Sequence, residues 1–448
     1  MLNYEAALDY IYRFTDYEQK SATRYAPENF NLARMGKLLE LLGNPHHRLP
    51  SVHVAGTKGK GSTSAMIASM LEAAGYRTGL FTSPHLHTFR ERIRVNGGLI
   101  RPQEVADLVE QVRPQAELVV GITTFELITA LAFLHFLQRQ VDVAVLEVGL
   151  GGRLDATNVV TPEVAVITSL SYDHMYLLGN TLTDIAWEKA GIIKPGIPVV
   201  SSPQDKEALA VVEAAACERN APLIVVGRDW LWERGEISLD GQNFRVMDAP
   251  DEGADRRWSF WIPLLGAHQV VNATTAVAVV MELARQGYCI SDRAMALGLH
   301  RVYWPGRLEV LSRDPMLVVD SAHNADSAHK LMLALREHFA QRPIILIFGA
   351  SNDKDIAGML REFIPNVREM IFVRSEHARA ADPKDLHRQA VALGGNGALV
   401  EDLNEALSLA LRLAGRSDVI CGAGSVFVAA GLREAWATRM GVRLAEWD

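Results

Sequence analysis

One segment, Val52–Thr63, constrains the fold of this chain more than any other. It reads Val-His-Val-Ala-Gly-Thr-Lys-Gly-Lys-Gly-Ser-Thr, an apolar strand followed by a glycine-rich turn and then by a helical pattern. Glycines let the backbone of such a turn approach a ligand closely, and the turn and helix N-terminus together point N–H groups at phosphate. The segment therefore predicts a nucleotide-phosphate site made of Gly56, Thr57, Lys58, Gly59, Lys60, Gly61 and Ser62.

Within this turn, Lys60 supplies a point charge, and the hydroxyl of either Ser62 or Thr63 could reach Mg²⁺. Gly61 separates Lys60 from Ser62, so the spacing differs from the common eight-residue form. The alternative is a glycine-rich turn that carries only a surface lysine. The strand before the turn and the helix after it favour the phosphate site.

Composition is typical of a soluble globular protein, with 448 residues, 49% hydrophobic and 22% charged, and it favours two domains. The net charge of −8 and the absence of a long basic block argue against a nucleic-acid partner. The most apolar helical stretch, 127–137, is shorter than a membrane span. Three distant cysteines match no zinc or CxxC spacing and are expected to serve as small hydrophobic side chains in a reduced compartment, which predicts a cytoplasmic location.

Strand and helix patterns alternate along most of the chain, which predicts an α/β fold with a mainly parallel sheet covered on both faces. The first series runs through 51–55, 62–74, 78–82, 125–137, 141–148 and 164–169. A second series begins near Met316, and a Pro-Gly turn within 300–308 separates the two. We therefore predict a P-loop mononucleotide-binding domain over 1–298 and a smaller Rossmann-like α/β domain over 299–448. A polar segment, 227–262, with turns at Asp240-Gly241 and Glu252-Gly253, predicts a small antiparallel appendage.

Ligands in such sheets lie beyond the carboxyl ends of the strands, so polar residues there are candidate site residues. The segments 82–86 and 169–174 follow predicted strands, and Glu147 is a lone carboxylate within an apolar strand. A buried carboxylate should be paired or bound to metal, and the alternative partner here is Arg153. His174 by itself is more typical of a hydrogen-bonded loop residue than of a ligand. Lys189 lies in a helical pattern whose spacing alone indicates a solvated face.

Taken together, eight motifs resemble the folylpolyglutamate synthase / dihydrofolate synthase branch of the Mur ligase family. They occur in family order, extend from about Leu2 to Gly424, and are 55–62 (Ala-Gly-Thr-Lys-Gly-Lys-Gly-Ser), 82–85 (Thr-Ser-Pro-His), 123–126 (Thr-Thr-Phe-Glu), 147–158 (Glu-Val-Gly-Leu-Gly-Gly-Arg-Leu-Asp-Ala-Thr-Asn), 173–174 (Asp-His), 188–194 (Glu-Lys-Ala-Gly-Ile-Ile-Lys), 305–307 (Pro-Gly-Arg) and 320–324 (Asp-Ser-Ala-His-Asn).

This resemblance implies an ATP-dependent ligase. It would join glutamate to dihydropteroate, to the γ-carboxylate of folates, or to both, through an acyl-phosphate intermediate. The implied cofactors are ATP and Mg²⁺ at two sites, with a monovalent cation as a further possibility. The implied partners are small molecules, namely ATP, L-glutamate and a pterin or folate, and the implied oligomeric state is a monomer.

The resemblance also assigns roles to individual residues. It makes Ser83, Glu147 and His174 metal ligands and Lys189 a carbamylated lysine, whose anionic group would suit the second Mg²⁺. Lys60, Lys189 and His323 form the implied catalytic set, with His323 in the segment that receives glutamate. The nucleotide-binding set adds Asn272, Arg307 and Asp320 to the glycine-rich turn, and the substrate-binding set is Thr123, Phe125, Arg153 and Asp155. The chain departs from the family pattern at Lys58, where asparagine is usual, and at Ser321 and Ala325, where glycine and proline are common.

Two alternatives compete with this interpretation. A peptidoglycan-precursor ligase of the same superfamily is disfavoured by the motifs at 123–126 and 147–158. A non-catalytic nucleotide-binding regulator is disfavoured because a pure binder has no need of the set Lys60, Glu147, His174 and Lys189. Motifs do not separate dihydrofolate synthesis from lengthening of the glutamate tail, because loops shape the discriminating pocket.

Overall fold

The computed structural model describes residues 2–16, 30–249, 256–340 and 342–444. Within these ranges, eight strands form the first sheet in the order β4-β3-β2-β5-β1-β6-β7-β8. The strands are β1 (Ser51–Ala55), β2 (Thr78–Phe81), β3 (Ile93–Val95), β4 (Gly98–Leu99), β5 (Val143–Glu147), β6 (Val164–Ile167), β7 (Val199–Ser201) and β8 (Leu223–Val225). The strands β2, β5, β1, β6, β7 and β8 pair in parallel. At the edge of the sheet, β3 pairs antiparallel with β2, and β4 pairs antiparallel with β3.

Helices cover both faces of this sheet. They are α1 (Tyr4–Tyr12), α2 (Leu32–Leu41), α3 (Lys60–Ala73), α4 (Pro102–Ala116), α5 (Thr124–Gln138), α6 (Met175–Leu178), α7 (Leu182–Ala190), α8 (Lys206–Glu218), α9 (Ala267–Arg285) and α10 (Asp292–Arg301). Every residue of β1, β5 and β6 is buried, which explains why β5 and β6 are nearly continuous apolar runs, whereas β1 also buries the polar side chains of Ser51 and His53. The predicted parallel sheet with two covered faces is confirmed.

The polar segment forms the expected small antiparallel sheet, from β9 (Trp230–Ile237), β10 (Gln242–Asp248) and β11 (Arg257–Ile262). Its buried aromatic residues Trp230, Phe244 and Phe260 belong to the same apolar cluster as α3 and α9, which fixes the appendage to the first sheet. The turn predicted at Asp240-Gly241 joins β9 and β10. The turn predicted at Glu252-Gly253 lies outside the described residues.

A second sheet has the order β12-β13-β17-β14-β15-β16. Its strands are β12 (Glu309–Arg313), β13 (Met316–Val319), β14 (Ile344–Phe348), β15 (Glu369–Val373), β16 (Ala398–Val400) and β17 (Val419–Ala423), and all pairings except β12 with β13 are parallel. Its helices are α11 (Ala325–Phe339), α12 (Ile356–Phe363), α13 (Pro383–Ala392), α14 (Leu403–Leu413) and α15 (Val426–Met440). Separate apolar clusters lie on its two faces, so this part is also a covered α/β sheet.

The structure bears on two further sequence-based expectations. Cys421 is buried in β17 as a small apolar side chain, whereas Cys217 and Cys289 are exposed, so the expectation of small hydrophobic side chains fits Cys421 only. Helix α10 continues to Arg301, across the predicted boundary at 298/299. None of the helices in the described ranges is long and apolar enough to cross a membrane.

Helix α10 packs unusually closely on α3 at Gly298. A Cβ atom there would lie 2.4 Å from the Cα of Met70 and 2.6 Å from the carbonyl oxygen of Ser69. These neighbours are backbone atoms that cannot rotate away, so we expect Gly298→Ala to lower the free energy of unfolding by about 1–3 kcal/mol. The matched control is Gly36→Ala in α2, where no atom lies within 4 Å. There the lower backbone entropy of alanine should stabilise the protein by about 0.5–1 kcal/mol. Urea unfolding measures both changes, and equal effects would contradict the close packing.

Candidate active site

A single cleft lies beyond the carboxyl ends of β1, β5 and β6, and residues of the second sheet line its other side. Most of the predicted site residues line it together, namely Gly56, Thr57, Lys58, Gly59, Lys60, Gly61, Ser62, Ser83, Glu147, His174, Lys189, Asn272, Arg307, Asp320 and His323. These residues are far apart in sequence. The parallel sheet brings them together because its strand ends meet at one edge.

The glycine-rich turn between β1 and α3 is fixed to the end of β6. The backbone N–H groups of Thr57 and Lys58 both donate to the carbonyl of Ser169, each at 3.0 Å. Helix α3 begins at Lys60, so its first amide groups lack an intrahelical acceptor and are the ones that can bind phosphate. Ser62 lines the cleft, whereas Thr63 is fully buried. The structure thus favours Ser62 over Thr63 as the hydroxyl available to a metal ion.

All three glycines of this turn are required by close contacts, and at Gly56, with φ +152°, a Cβ would collide with Oγ1 of Thr168. Gly59 has φ +85°, and a Cβ there would lie 2.4 Å from Oδ1 of Asn272. A Cβ at Gly61 would lie 2.8 Å from Cζ2 of Trp304. The extra glycine between Lys60 and Ser62 is therefore where the indole of Trp304 packs against the turn.

Lys60 and Lys189 converge on one backbone carbonyl. Nζ of Lys60 donates to the carbonyl oxygen of Gly56 at 3.1 Å, and Nζ of Lys189 donates to the same oxygen at 2.9 Å. Lys189 is 5% exposed, so the interpretation of a solvated helix face is wrong. Burial, reinforced by the charge of Lys60, lowers the pKa of Lys189 to about 7. The lowered pKa increases the neutral fraction of this amine at neutral pH.

Glu147 is not paired with Arg153, which was the alternative open from the sequence. Arg153 instead donates to both carboxylate oxygens of Glu188, at 3.1 and 2.9 Å, and its guanidinium lies over the ring of Trp187. Glu147 is 5% exposed and accepts the backbone N–H of Ser83 at 3.2 Å. Burial raises the pKa of Glu147 to about 7 in spite of the charge of Lys60. A cation in the cleft would stabilise its ionised form.

Partial burial lowers the pKa of both His174 and His323, which lie on opposite sides of the cleft. Burial lowers the pKa of His174 well below its usual range, and its Nδ1 is buried without a partner among the described residues. Burial lowers the pKa of His323 to about 4. Nδ1 of His323 lies 2.8 Å from the carbonyl of Ser321, so the proton is assigned to Nδ1. Nε2 then accepts from Nζ of Lys58 at 3.1 Å.

The predicted nucleotide-binding residues outside the glycine-rich turn come from α9, from the linker between α10 and β12, and from the end of β13. Asp320 follows β13 and accepts the N–H groups of Leu308 and Ala322, both at 2.7 Å, which orders the linker that carries Arg307. Asn272 on α9 donates to Oε1 of Gln269 at 3.0 Å and keeps its Oδ1 beside Gly59. These contacts hold an amide, a guanidinium and a carboxylate around one end of the cleft.

The four predicted substrate-binding residues do not line this cleft. Thr123 caps α5, Arg153 contacts α7 through Glu188, and Phe125 lies directly under Gly149. Asp155 accepts the N–H groups of Gly149 and Leu150, at 3.1 and 3.0 Å. Three of the four therefore support the bend at 149–155, and their role as substrate contacts stays a prediction.

Lys354, in the loop after β14, is a residue near the cleft that none of the sequence motifs indicated. Its Nζ contacts Oδ1 of Asp173 at 2.9 Å and so reaches the first sheet's side of the cleft. The loop reads Asn-Asp-Lys-Asp over 352–355. Attention to polar residues after each strand of the second sheet would have found it.

The fold and the cleft define a nucleotide-binding α/β protein of the P-loop type, in which a second α/β sheet completes the site. The Mur ligase middle domain matches residues 54–280, and the Mur ligase glutamate ligase domain matches residues 306–426. The chain belongs to the Mur ligase family, within its folylpolyglutamate synthase and dihydrofolate synthase branch.

Similarity to relatives in this branch extends over nearly the whole chain. The dihydrofolate synthase/folylpolyglutamate synthase of Bacillus subtilis is 37% identical over 90% of this chain and 94% of its own length. The folylpolyglutamate synthase of Lacticaseibacillus casei is 35% identical over 97% and 98%. The Mycobacterium tuberculosis folylpolyglutamate synthase complexed with ADP superposes with a TM-score of 0.87, at 32% identity over 97% of this chain and 99% of the other. An FPGS–AMPPCP–folate complex gives a TM-score of 0.83, at 34% identity and the same coverage.

Proposed function

We propose that this protein is an ATP-dependent ligase that joins glutamate to dihydropteroate, to the γ-carboxylate of folates, or to both. The observation that carries the proposal is the full-length likeness to folylpolyglutamate and dihydrofolate synthases, which includes a structure complexed with AMPPCP and folate. The same likeness disfavours a peptidoglycan-precursor ligase and a non-catalytic regulator.

The proposed chemistry follows from the charges in the cleft. A carboxylate is a poor electrophile, so ATP would first convert it to an acyl phosphate, from which the amine of glutamate then displaces phosphate. Phosphoryl transfer depends mainly on positioning and on positive charge around the phosphate. Lys60 and Arg307 supply that charge from the two sides of the cleft. Closure by the second sheet would keep water away from the acyl phosphate.

Mg²⁺ fits the residues present. Glu147 is a buried carboxylate with a weak hydrogen bond, and His174 has a buried Nδ1 without a partner in the described part of the chain. In the proposal, Ser83, Glu147 and His174 would serve as Mg²⁺ ligands, and a carbamylated Lys189 would suit the second ion. Mg²⁺ would neutralise phosphate charge during the transfer. A neutral amine is the form that reacts with CO₂, which suits Lys189 with its pKa near 7. A monovalent cation is a further, unassigned part of the proposal.

The remaining assignments belong to the same proposal. Asn272, Arg307 and Asp320 bind the nucleotide, and His323 lies on the glutamate side. Thr123, Phe125, Arg153 and Asp155 serve the pterin side. The functional division falls into 1–298 and 299–448, and the protein acts as a cytoplasmic monomer on small molecules.

The direct test is a steady-state comparison of dihydropteroate with a reduced monoglutamyl folate, each with ATP, Mg²⁺ and L-glutamate. Mass spectrometry of the product and measurement of ADP give the reaction and its stoichiometry. Ligation of glutamate to either substrate supports the proposal and identifies which activity the protein has. ADP formation only with a uridine-linked peptidoglycan precursor would overturn it.

Glu147→Gln tests the metal assignment. The variant keeps the shape of the side chain but removes the charge that holds a hard cation, so we expect lower turnover and a higher Mg²⁺ requirement. Glu72→Gln is the matched control, because burial also raises the pKa of Glu72 to about 7 and Glu72 lies outside the cleft lining. A Mg²⁺ titration of both variants separates the roles. An unchanged titration for Glu147→Gln would show that Glu147 is structural.

A further inference from the structure

A buried arginine in the last helix contacts three segments that are distant from it in the chain. Arg433 lies in α15 and is 2% exposed. Its Nη2 donates to the hydroxyl of Tyr303, in the linker between α10 and β12, at 2.9 Å. Its Nε lies 2.9 Å from Oε2 of Glu309, at the start of β12. Its Nη1 contacts Nε2 of His87, in the loop after β2. One guanidinium therefore joins the second α/β part to the linker and to the first sheet.

The imidazole of His87 is oriented for this contact. Its side chain is 1% exposed, and its Nδ1 lies 2.7 Å from Oε1 of Glu434, the residue after Arg433. A carboxylate only accepts hydrogen bonds, so the proton is assigned to Nδ1, and Nε2 is the acceptor for the guanidinium. A guanidinium has five donors in a fixed plane and can hold several acceptors at once, which the single ammonium of lysine does less well.

Glu309 links this guanidinium to the position of Arg307. The Oε2 atom that faces Arg433 also accepts the N–H of Gly306 at 2.7 Å. The carbonyl of Gly306 accepts the N–H of Ser321 at 3.0 Å. Arg307 is the next residue of the linker, and it lines the cleft. The backbone immediately before Arg307 is thus fixed by a short chain of contacts, from Arg433 through Glu309 to Gly306.

Loss of the guanidinium would weaken this chain of contacts. The side chain of Glu309 is 21% exposed, and a largely buried carboxylate without its cation is destabilised. We expect the carboxylate to turn toward water, so that the N–H of Gly306 loses its acceptor. The linker would then sample more conformations, and Arg307 would have to be ordered when a ligand binds. That ordering reduces affinity.

We propose that Arg433 is a positioning residue for the nucleotide, which orders the linker so that Arg307 is in place before ATP binds. This inference rests on the proposed function, in which Arg307 binds the nucleotide. Arg433 does not itself line the cleft, so it acts through Glu309 and the backbone of Gly306. A preordered side chain binds more tightly, because less conformational freedom is lost on binding.

A double-mutant cycle of Arg433→Met and Arg307→Met tests the proposal, with the Kd for ADP in the presence of Mg²⁺ measured by calorimetry. We expect Arg433→Met alone to raise this Kd by about tenfold, as for residues that act through a common contact. In the Arg307→Met background, the same substitution should raise the Kd by less than about twofold, because the side chain that it positions is already missing. Equal increases in the two backgrounds would contradict the proposal, as would no increase in either.

A second cycle tests the intermediate step. Glu309→Gln removes the charge that faces the guanidinium, so it should raise the Kd for ADP, and its combination with Arg433→Met should be within about twofold of Arg433→Met alone. Additive effects would overturn the route through Glu309. If thermal unfolding shows that Arg433→Met is not folded, Glu309→Gln takes its place in the cycle with Arg307→Met.

Arg439→Met is the matched control, because Arg439 is an exposed arginine in the last turn of the same helix. Its Kd for ADP should stay within about twofold of the wild-type value. A wild-type protein that binds ADP but ligates no glutamate would contradict the ligase function, and the binding cycles would still report on Arg433. A wild-type protein that ligates glutamate, with additive cycles, would contradict only the role of Arg433.

Discussion

The Lys60→Ala variant is expected to lose turnover by about a hundredfold or more while it remains folded, because a preorganised charge at a transferring phosphoryl group is removed. Lys60 lies in the first turn of α3, and its Nζ donates to the carbonyl of Gly56, so alanine there leaves no packing defect in the core. The measurement is the rate of ADP and ligated product formation at saturating ATP, glutamate and pterin or folate substrate.

Lys37→Ala is the control for this experiment, since it also removes a lysine charge but at an exposed ion pair with Glu40. Both variants should unfold at close to the wild-type temperature. Turnover near the wild-type value in Lys60→Ala would show that the glycine-rich turn is not the phosphate site.

Lys189→Ala and Lys189→Arg are both expected to be nearly inactive. Alanine removes the group that becomes the carbamate, and arginine stays cationic and cannot be carbamylated. Because the pKa of Lys189 is about 7, its amine is protonated as the pH falls below that value, and carbamylation should be lost with it. Mass spectrometry of the peptide that contains Lys189, under CO₂ and at several pH values, measures this directly.

Lys194→Ala is the matched control for Lys189. Lys194 is also largely buried, burial lowers its pKa to about 8, and its Nζ donates to the carbonyl of Asn158 at 2.9 Å. Its loss should affect stability more than turnover. Acetate should partly restore activity to Lys189→Ala by supplying an anion at the vacated position. Normal activity in Lys189→Arg would remove the carbamate from the mechanism and leave the roles of Lys60, Glu147 and His174 intact.

Much of the site could be predicted from the sequence because its signals are local. The glycine-rich turn lies between a strand and a helix that are adjacent in the chain, so its residues were identified together. The loops at 82–86 and 169–174 follow strands, and the rule that ligands lie at strand ends in parallel sheets placed them near the turn. Arg307 and Asp320 came from the family resemblance, and the structure brings them into the same cleft.

The order of strands and helices, the covered parallel sheets and the glycine-rich turn follow from local pattern, because backbone propensity and apolar periodicity act over neighbouring residues. The burial of Lys189 beside Gly56, the pairing of Arg153 with Glu188 rather than Glu147, and the contact of Lys58 with Asp173 become visible only in three dimensions. Burial, charge pairing and pKa depend on atoms that are distant in the chain, and local pattern carries no information about which of them meet.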